Sequence, residues 1–144
     1  MMNILIDTCV WFAFFNESDG NHRDAVEMMK EIDHSIFIVP YPTLYEALNT
    51  RFVTERMWMN SFIDLLSDKA RFVKIEDTAY LEKAYGMIMN KVNINNRPLS
   101  LVDLVLRLMI EDQKLNINAV FSFNVKDFED ICRQKQITIG LVKE

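Results

Sequence analysis

Four carboxylates and one amide in this chain are spaced so that a fold could bring them together. Asp7 closes a short apolar run. Glu46 and Asp103 lie near the starts of two helical segments, and Asn124 and Asp127 follow a later apolar run. Taken singly, each acid has an ordinary structural use. Thr43-Leu-Tyr-Glu46 and Ser100-Leu-Val-Asp103 both match the helix capping box, in which the acid at the third helical position bonds back to the cap. Asp7 and Asp127 each precede a helical segment and fit an N-cap. Taken together they point to chemistry. Three or four carboxylates in one pocket repel one another strongly unless a cation neutralises them. Such an oxygen-rich cluster suits Mg²⁺ or Mn²⁺, which take carboxylates and keep several waters. Two such ions, about 3.5–4 Å apart, can activate a water and stabilise the leaving oxygen of a phosphodiester.

Convergence depends on the elements that carry these residues. Residues 3–7 (NILID) form an apolar run that reads as a central strand, and TCVWFAFF after it as a short buried helix. ESDGNH marks a turn. RDAVEMMKEID is amphipathic, with Ala25, Met28, Met29 and Ile32 at helical spacing. Residues 36–39 (IFIV) make a second strand stopped by Pro40, and YPTLYEALNTRF a helix with Pro42 near its first position. A helix over 57–66, a strand over 71–75, and a long helix capped by Asp77 and running to about Lys91 follow. After the polar loop VNINNRP, Ser100 caps an apolar helix to about Leu115. A strand over 119–123, a helix over 125–134 and a last strand over 137–142 complete the chain.

Strands alternate with helices, and the strand segments are continuously apolar. That pattern predicts a single α/β domain with a mostly parallel five-stranded sheet covered by helices on both faces. Open parallel sheets bind ligands at the carboxyl ends of their strands, which is where Asp7, Asn124 and Asp127 fall. Glu46 and Asp103, in the first turns of helices entered from loops, are expected to face the same edge.

At 144 residues the chain fits one domain able to build a core without staples. Its 3 Gly and 3 Pro argue for helices with short connections rather than a loop-rich β-sandwich. The two cysteines, Cys9 and Cys132, have no metal-ligand spacing and no disulfide framework, so a reducing cytoplasm is the expected compartment. Cys9, in an apolar run, reads as buried packing. The longest apolar run, 99–110, is too short to span a bilayer and contains Asp103 and Arg107, so no membrane role is expected. The formal net charge of −5 weighs against extensive phosphate contacts. Lys91 and Arg97 flank the polar loop before the Asp103 segment and are the candidates for meeting phosphates. Arg107, four residues after Asp103, fits either an orienting salt bridge to Asp103 or a phosphate contact. His22 and His34 have no partner spacing and are assigned no role.

The ordered set LIDTCVWFAFF, YPTLYEALNTRF, LSLVDLVLRL and VFSFNVKDFED resembles the PIN-domain family over essentially the whole chain, and within it the VapC-like ribonuclease toxins. The resemblance implies a Mg²⁺-dependent endoribonuclease (Mn²⁺ substituting) that cuts single-stranded RNA and holds one or two ions. By it, Asp7 and Asp103 are the metal ligands and Glu46 positions or activates the attacking water. Thr8 and Ser100 belong to the first and third motifs as supporting residues. The fourth motif departs from the family pattern, because Ser122-Phe123-Asn124 puts an amide where an acid is usual. Either Asn124 fills that position or Asp127 reaches in. The resemblance further implies a homodimer and an antitoxin partner, with the exposed parts of segments 11–15 and 57–62 as its groove. The alternative is a PIN-like module that binds RNA or protein without cutting. A receiver domain is disfavoured because Pro-Tyr-Pro follows Val39. A haloacid-dehalogenase-type phosphatase is disfavoured because Cys9 stands two residues after Asp7.

Overall fold

A computed structural model describes residues 1–94 and 96–140, the side chain of Ile32 excepted. Among these residues the chain forms five strands and eight α-helices in α/β order. The strands are β1 (Met2–Ile6), β2 (Ser35–Pro40), β3 (Phe72–Ile75), β4 (Ala119–Phe121) and β5 (Thr138–Ile139). They lie in the order β3-β2-β1-β4-β5, and every pairing is parallel. From β1 the chain first builds outward through β2 and β3, then returns to add β4 and β5 on the other side. The strand order therefore switches between β1 and β4, where an open parallel sheet leaves a crevice at its carboxyl edge.

Alternation along the strands divides the core into two layers, because successive side chains point to opposite faces. Ile4, Ile6, Phe37, Val39, Ala119 and Phe121 face one way. They pack with Val10 and Trp11 of α1 (Thr8–Phe15), Met28 of α2 (His22–Met29), Phe52 of α4 (Thr50–Thr54) and Phe62 of α5 (Arg56–Ser67). Leu5, Ile38 and Val120 face the other way. They meet Ala84 of α6 (Thr78–Met89), Leu106 and Met109 of α7 (Leu101–Glu111) and Ile131 of α8 (Glu129–Gln134). Both faces are covered, which is why the strands carry no polar alternation.

The expected helix over 41–52 is two helices, α3 (Tyr41–Ala47) and α4. Asn49 divides them: its side chain caps α4 by accepting from Phe52 N at 3.0 Å and donates to the Glu46 carbonyl at 3.2 Å. The expected helix over 125–134 likewise resolves into a 3-10 turn at Val125–Asp127 followed by α8. The amphipathic segment after Asn21 is helical to Met29 and continues as a 3-10 turn at Lys30–His34, while the expected position of Ile32 lies outside the described side chains. β4 ends at Phe121, two residues short of expectation. Beyond it Phe123 N donates to Cys9 Sγ at 3.4 Å and Asn124 N to Ser122 Oγ at 3.0 Å, so these amides leave the sheet ladder for the crevice. The last strand is Thr138–Ile139; Ile137 and Gly140 of its expected span are not strand, and 141–142 lie outside the described residues. Likewise α7 stops at Glu111 and α6 at Met89, and Lys91 beyond α6 takes a left-handed φ of 54°. No helix among the described residues is long and apolar enough to cross a membrane.

Candidate active site

Asp7 follows β1 with extended backbone and caps α1: its Oδ1 accepts from Thr8 N at 2.8 Å. Its backbone N–H reaches the Phe121 carbonyl of β4 at 2.9 Å, so the residue stands at the switch point itself. Oδ2 accepts from Ser122 Oγ at 2.8 Å and meets Cys9 Sγ at 3.6 Å. Only 4% of Asp7 is exposed. Ser122 and Cys9 thus hold the carboxylate from below. The Ser122-Phe123-Asn124 spacing signals Ser122, whereas an apolar run around Cys9 signals only packing. In fact Cys9 is half-buried beside the acid, and burial, then the Asp7 charge, pushes its thiol up to about 12. It stays protonated at neutral pH and serves as a weak donor rather than a nucleophile.

Glu46 is not a capping residue. The N-cap of α3 is Pro40, Thr43 Oγ1 donates to the Pro40 carbonyl at 2.6 Å, and Glu46 falls in the last turn instead of the first. Its Oε1 accepts from Thr8 Oγ1 at 2.8 Å, tying α3 to α1 directly above Asp7. Asp103 does fulfil the capping reading. Ser100 Oγ accepts from Asp103 N at 3.1 Å, and Asp103 Oδ2 accepts from Ser100 N at 3.3 Å. This capping bond engages one carboxylate oxygen.

These residues share one open cavity of about 680 Å³, lined by Asp7, Glu46, Asp103, Asn124 and Asp127 together with Thr8, Ser100 and Tyr45 among others. None of its lining residues is basic. Arg97 is outside the cavity lining and forms an ion pair with Asp127, one of the lining acids. Arg107 corrects both expectations placed on it. Its guanidinium is bidentate on Asp130 at 2.7 Å and donates to the Asp127 carbonyl at 2.8 Å, in a position only 7% exposed. Asp130 had no signal in the sequence beyond lying on the next helix. Lys91 is exposed at the end of α6. His22 sets Nδ1 against the Ala13 carbonyl at 2.8 Å, away from the acids.

Electrostatics follow from this crowding. Burial raises the carboxyl pKa of Asp7, and the Asp103 charge adds to the rise, against lowering hydrogen bonds from Ser122 and Thr8. Burial also raises Asp103, with Asp127 adding and the Ser100 bonds and Arg97 opposing. In the folded chain both acids take up protons at higher pH than in the unfolded chain. Stability therefore increases as pH falls through their raised pKa values toward the ordinary 3.8. Asp112 and Asp130, held low by hydrogen bonds from Tyr80 and Arg107, act oppositely and lose stabilisation only below that value. The metal-free protein is accordingly expected to melt at a higher temperature at roughly pH 5 than at pH 7.5. A melting temperature rising steadily from acid to neutral in EDTA would contradict the cluster's charge repulsion.

The donor set is oxygen throughout, which fits Mg²⁺ or Mn²⁺ better than a softer ion. Among the described residues no group of three or more His, Cys, Asp or Glu closes around a single point. The expected closing of three or four acids around one ion is therefore not seen among the described residues; Mg²⁺, where one or two carboxylates hold it, keeps its remaining waters. Asp7 and Asp103, the two cavity acids whose proton affinity burial raises, are the residues that would hold it.

A second, apolar hollow of about 1000 Å³ lies between α1 and α5, walled by Phe14, Phe15, Met57, Trp58 and Leu65. Trp11 and Phe62, in the segments expected to form it, are fully buried and take no part. A smaller hollow of about 320 Å³ shares Asn16 and Trp58 with this one. It shares Phe12 and Asn49 with the acidic cavity, so it lies between the other two.

No family model matches the chain, and no curated protein does. Solved structures do. The sarcin-ricin loop cleaving toxin VapC20 of Mycobacterium tuberculosis superposes with a TM-score of 0.67 at 20% identity, covering 88% of this chain and 94% of that one. VapBC2 of Rickettsia felis, solved bound to a DNA fragment from their promoter, gives 0.58 at 13% identity, covering 96% and 97%. The fold is the PIN fold of these VapC structures.

Proposed function

We propose that this chain, sharing the fold of VapC toxins, is a divalent-metal-dependent endoribonuclease of the PIN family, hydrolysing single-stranded RNA. The observation that carries the reading is one cavity at the carboxyl edge of the sheet, lined by four acids from separate parts of the chain. Asp7 and Asp103 are the metal ligands in this reading. A bound divalent ion would supply charge neutralisation at the scissile phosphate and a more acidic water. Glu46, oriented by its bond from Thr8, is the residue to accept the proton of the attacking water. The Asn124 amide can donate to a phosphate oxygen or hold a water without adding charge. In-line attack with departure of the 3′ oxygen leaves a 5′-phosphate.

The low basic charge and Asn124 favour a second reading, a PIN-like module that binds without cutting. Mixed single-stranded RNA incubated with the purified protein separates the two. Cleavage in Mg²⁺ or Mn²⁺, its loss in EDTA and 5′-phosphate ends support the nuclease. RNA left intact at saturating metal supports the binding module.

An antitoxin partner belongs to the same proposal, as does a cytoplasmic location. The apolar hollow between α1 and α5 is the surface proposed for it, and a segment long enough to pass the smaller hollow beside Phe12 and Asn49 would approach the acids. A homodimer is the assembly proposed with it, and light scattering on the same sample is expected to give a dimer mass. A monomer mass at micromolar concentration removes that part.

A further inference from the structure

A cation outside the lining of the acidic cavity is already paired with one of its acids. Arg97 belongs to the loop between α6 and α7. There Ile94 and Arg97 form an antiparallel bridge, and Asn96 takes a left-handed φ of 59°. This bridge fixes the backbone that presents the Arg97 side chain. Its Nη2 is ion-paired with Asp127 Oδ1, and the Asp127 side chain is only 14% exposed. The same residue is gripped from the far side by Arg107, whose Nη1 donates to the Asp127 carbonyl at 2.8 Å. Asp127 is thus held by two arginines, one at the carboxylate and one at the backbone. Among the described residues it is the one acid of the cavity in a salt bridge. Its neighbour Asn124 brings no charge.

We propose that Arg97 is a built-in counter-ion, taking the Asp127 corner so that this chain holds one divalent cation rather than two. The inference rests on the metal-dependent reading above. A guanidinium is always charged, and it matches a carboxylate in shape and hydrogen-bonding geometry. A second ion would have to part Arg97 from Asp127 and then sit beside a displaced positive charge. Asp7 and Asp103 form no salt bridge among the described residues and remain for the single ion. Arg97 is therefore a positioning residue: it keeps Asp127 turned to its own charge and sets how many ions the acids can take.

Counting Mn²⁺ per chain by calorimetry and by electron paramagnetic resonance tests this without reference to activity. The wild-type protein is expected to bind one ion. Arg97→Gln is expected to gain a second, weaker site, and Arg97→Lys, which keeps the charge, to stay at one. The double variant Arg97→Gln with Asp127→Asn is expected to return to one. Melting curves report whether each variant folds, and Arg97→Met, which keeps the apolar stem, replaces Arg97→Gln if the latter does not. Two ions in the wild type overturn the counter-ion role. One ion in the folded charge-removing variant overturns it too, leaving the metal reading intact. No bound ion in the wild type overturns both.

Discussion

Asp7→Asn is expected to lower the rate of RNA cleavage by about 10²–10³-fold, the loss typical of removing one pre-organised electrostatic group, while raising the melting temperature of the metal-free protein. The opposite signs come from one cause. The carboxylate is 4% exposed and its proton affinity is raised chiefly by burial, so keeping it ionised at neutral pH costs stability. Asparagine has the same shape. Its oxygen can accept from Thr8 N, as Oδ1 now does at 2.8 Å, and its amide can donate to Ser122 Oγ, which has lone pairs to receive it. The helix cap survives, and the buried charge is gone. The gain should fade as pH falls below the raised pKa of Asp7, where the wild-type carboxyl is itself neutral. Thermal melts in EDTA across pH, beside cleavage assays at saturating Mg²⁺, measure both halves. A variant that loses stability and activity together would mean that Asp7 is a structural cap and little more.

The second large effect lies in the core. Trp11→Ala is expected to destabilise the fold by about 3–5 kcal/mol, the usual range for truncating a buried large aromatic. Trp11 is fully buried, edge-on to Phe62 at 5.0 Å and 90°, stacked near Phe15 at 6.3 Å and close to Phe72 at 6.2 Å. It joins α1 to α5 and to β3, so its loss leaves a cavity bounded by three separate elements. Among the described residues its Nε1 has no hydrogen-bond partner, so truncation breaks no hydrogen bond there. Because α1 begins at Thr8, directly after Asp7, such damage should lower activity through the folded fraction and leave the chemistry of the surviving molecules unchanged. Urea unfolding checks the stability, and a loss under about 1 kcal/mol would show that the aromatic cluster repacks readily.

How much the sequence reveals varies with the distance over which each feature is decided. The parallel α/β order follows from apolar runs alternating with amphipathic ones, because a strand covered on both faces has no polar side. Asp7 at the end of β1 and the Ser100–Asp103 capping box are local patterns, and both stand in the structure as read. The capping reading of Glu46 fails because Thr43-Leu-Tyr-Glu46 has the letters of a capping box, yet the cap is Pro40, three residues before Thr43. The acid is thereby carried to the last turn and toward Thr8. Arg107 reads wrongly because helical spacing ranks only neighbours on its own helix. Its partner Asp130 arrives from α8 through packing that no local pattern encodes. Cys9 and Ser122 stand in the sequence only as packing and as part of the fourth motif, because their contact comes from β1 and β4 lying side by side, 113 positions apart in sequence.

Asp103→Asn offers the most direct test of the central claim, that these acids form one metal-dependent cutting site. The amide keeps the shape of the cap at α7, so circular dichroism and the melting temperature should match a folded protein. Single-turnover cleavage of a single-stranded RNA in Mg²⁺ is expected to be lost in this variant and retained by the wild type, with EDTA silencing the wild type as well. Equal, metal-independent behaviour of the two proteins would contradict the account.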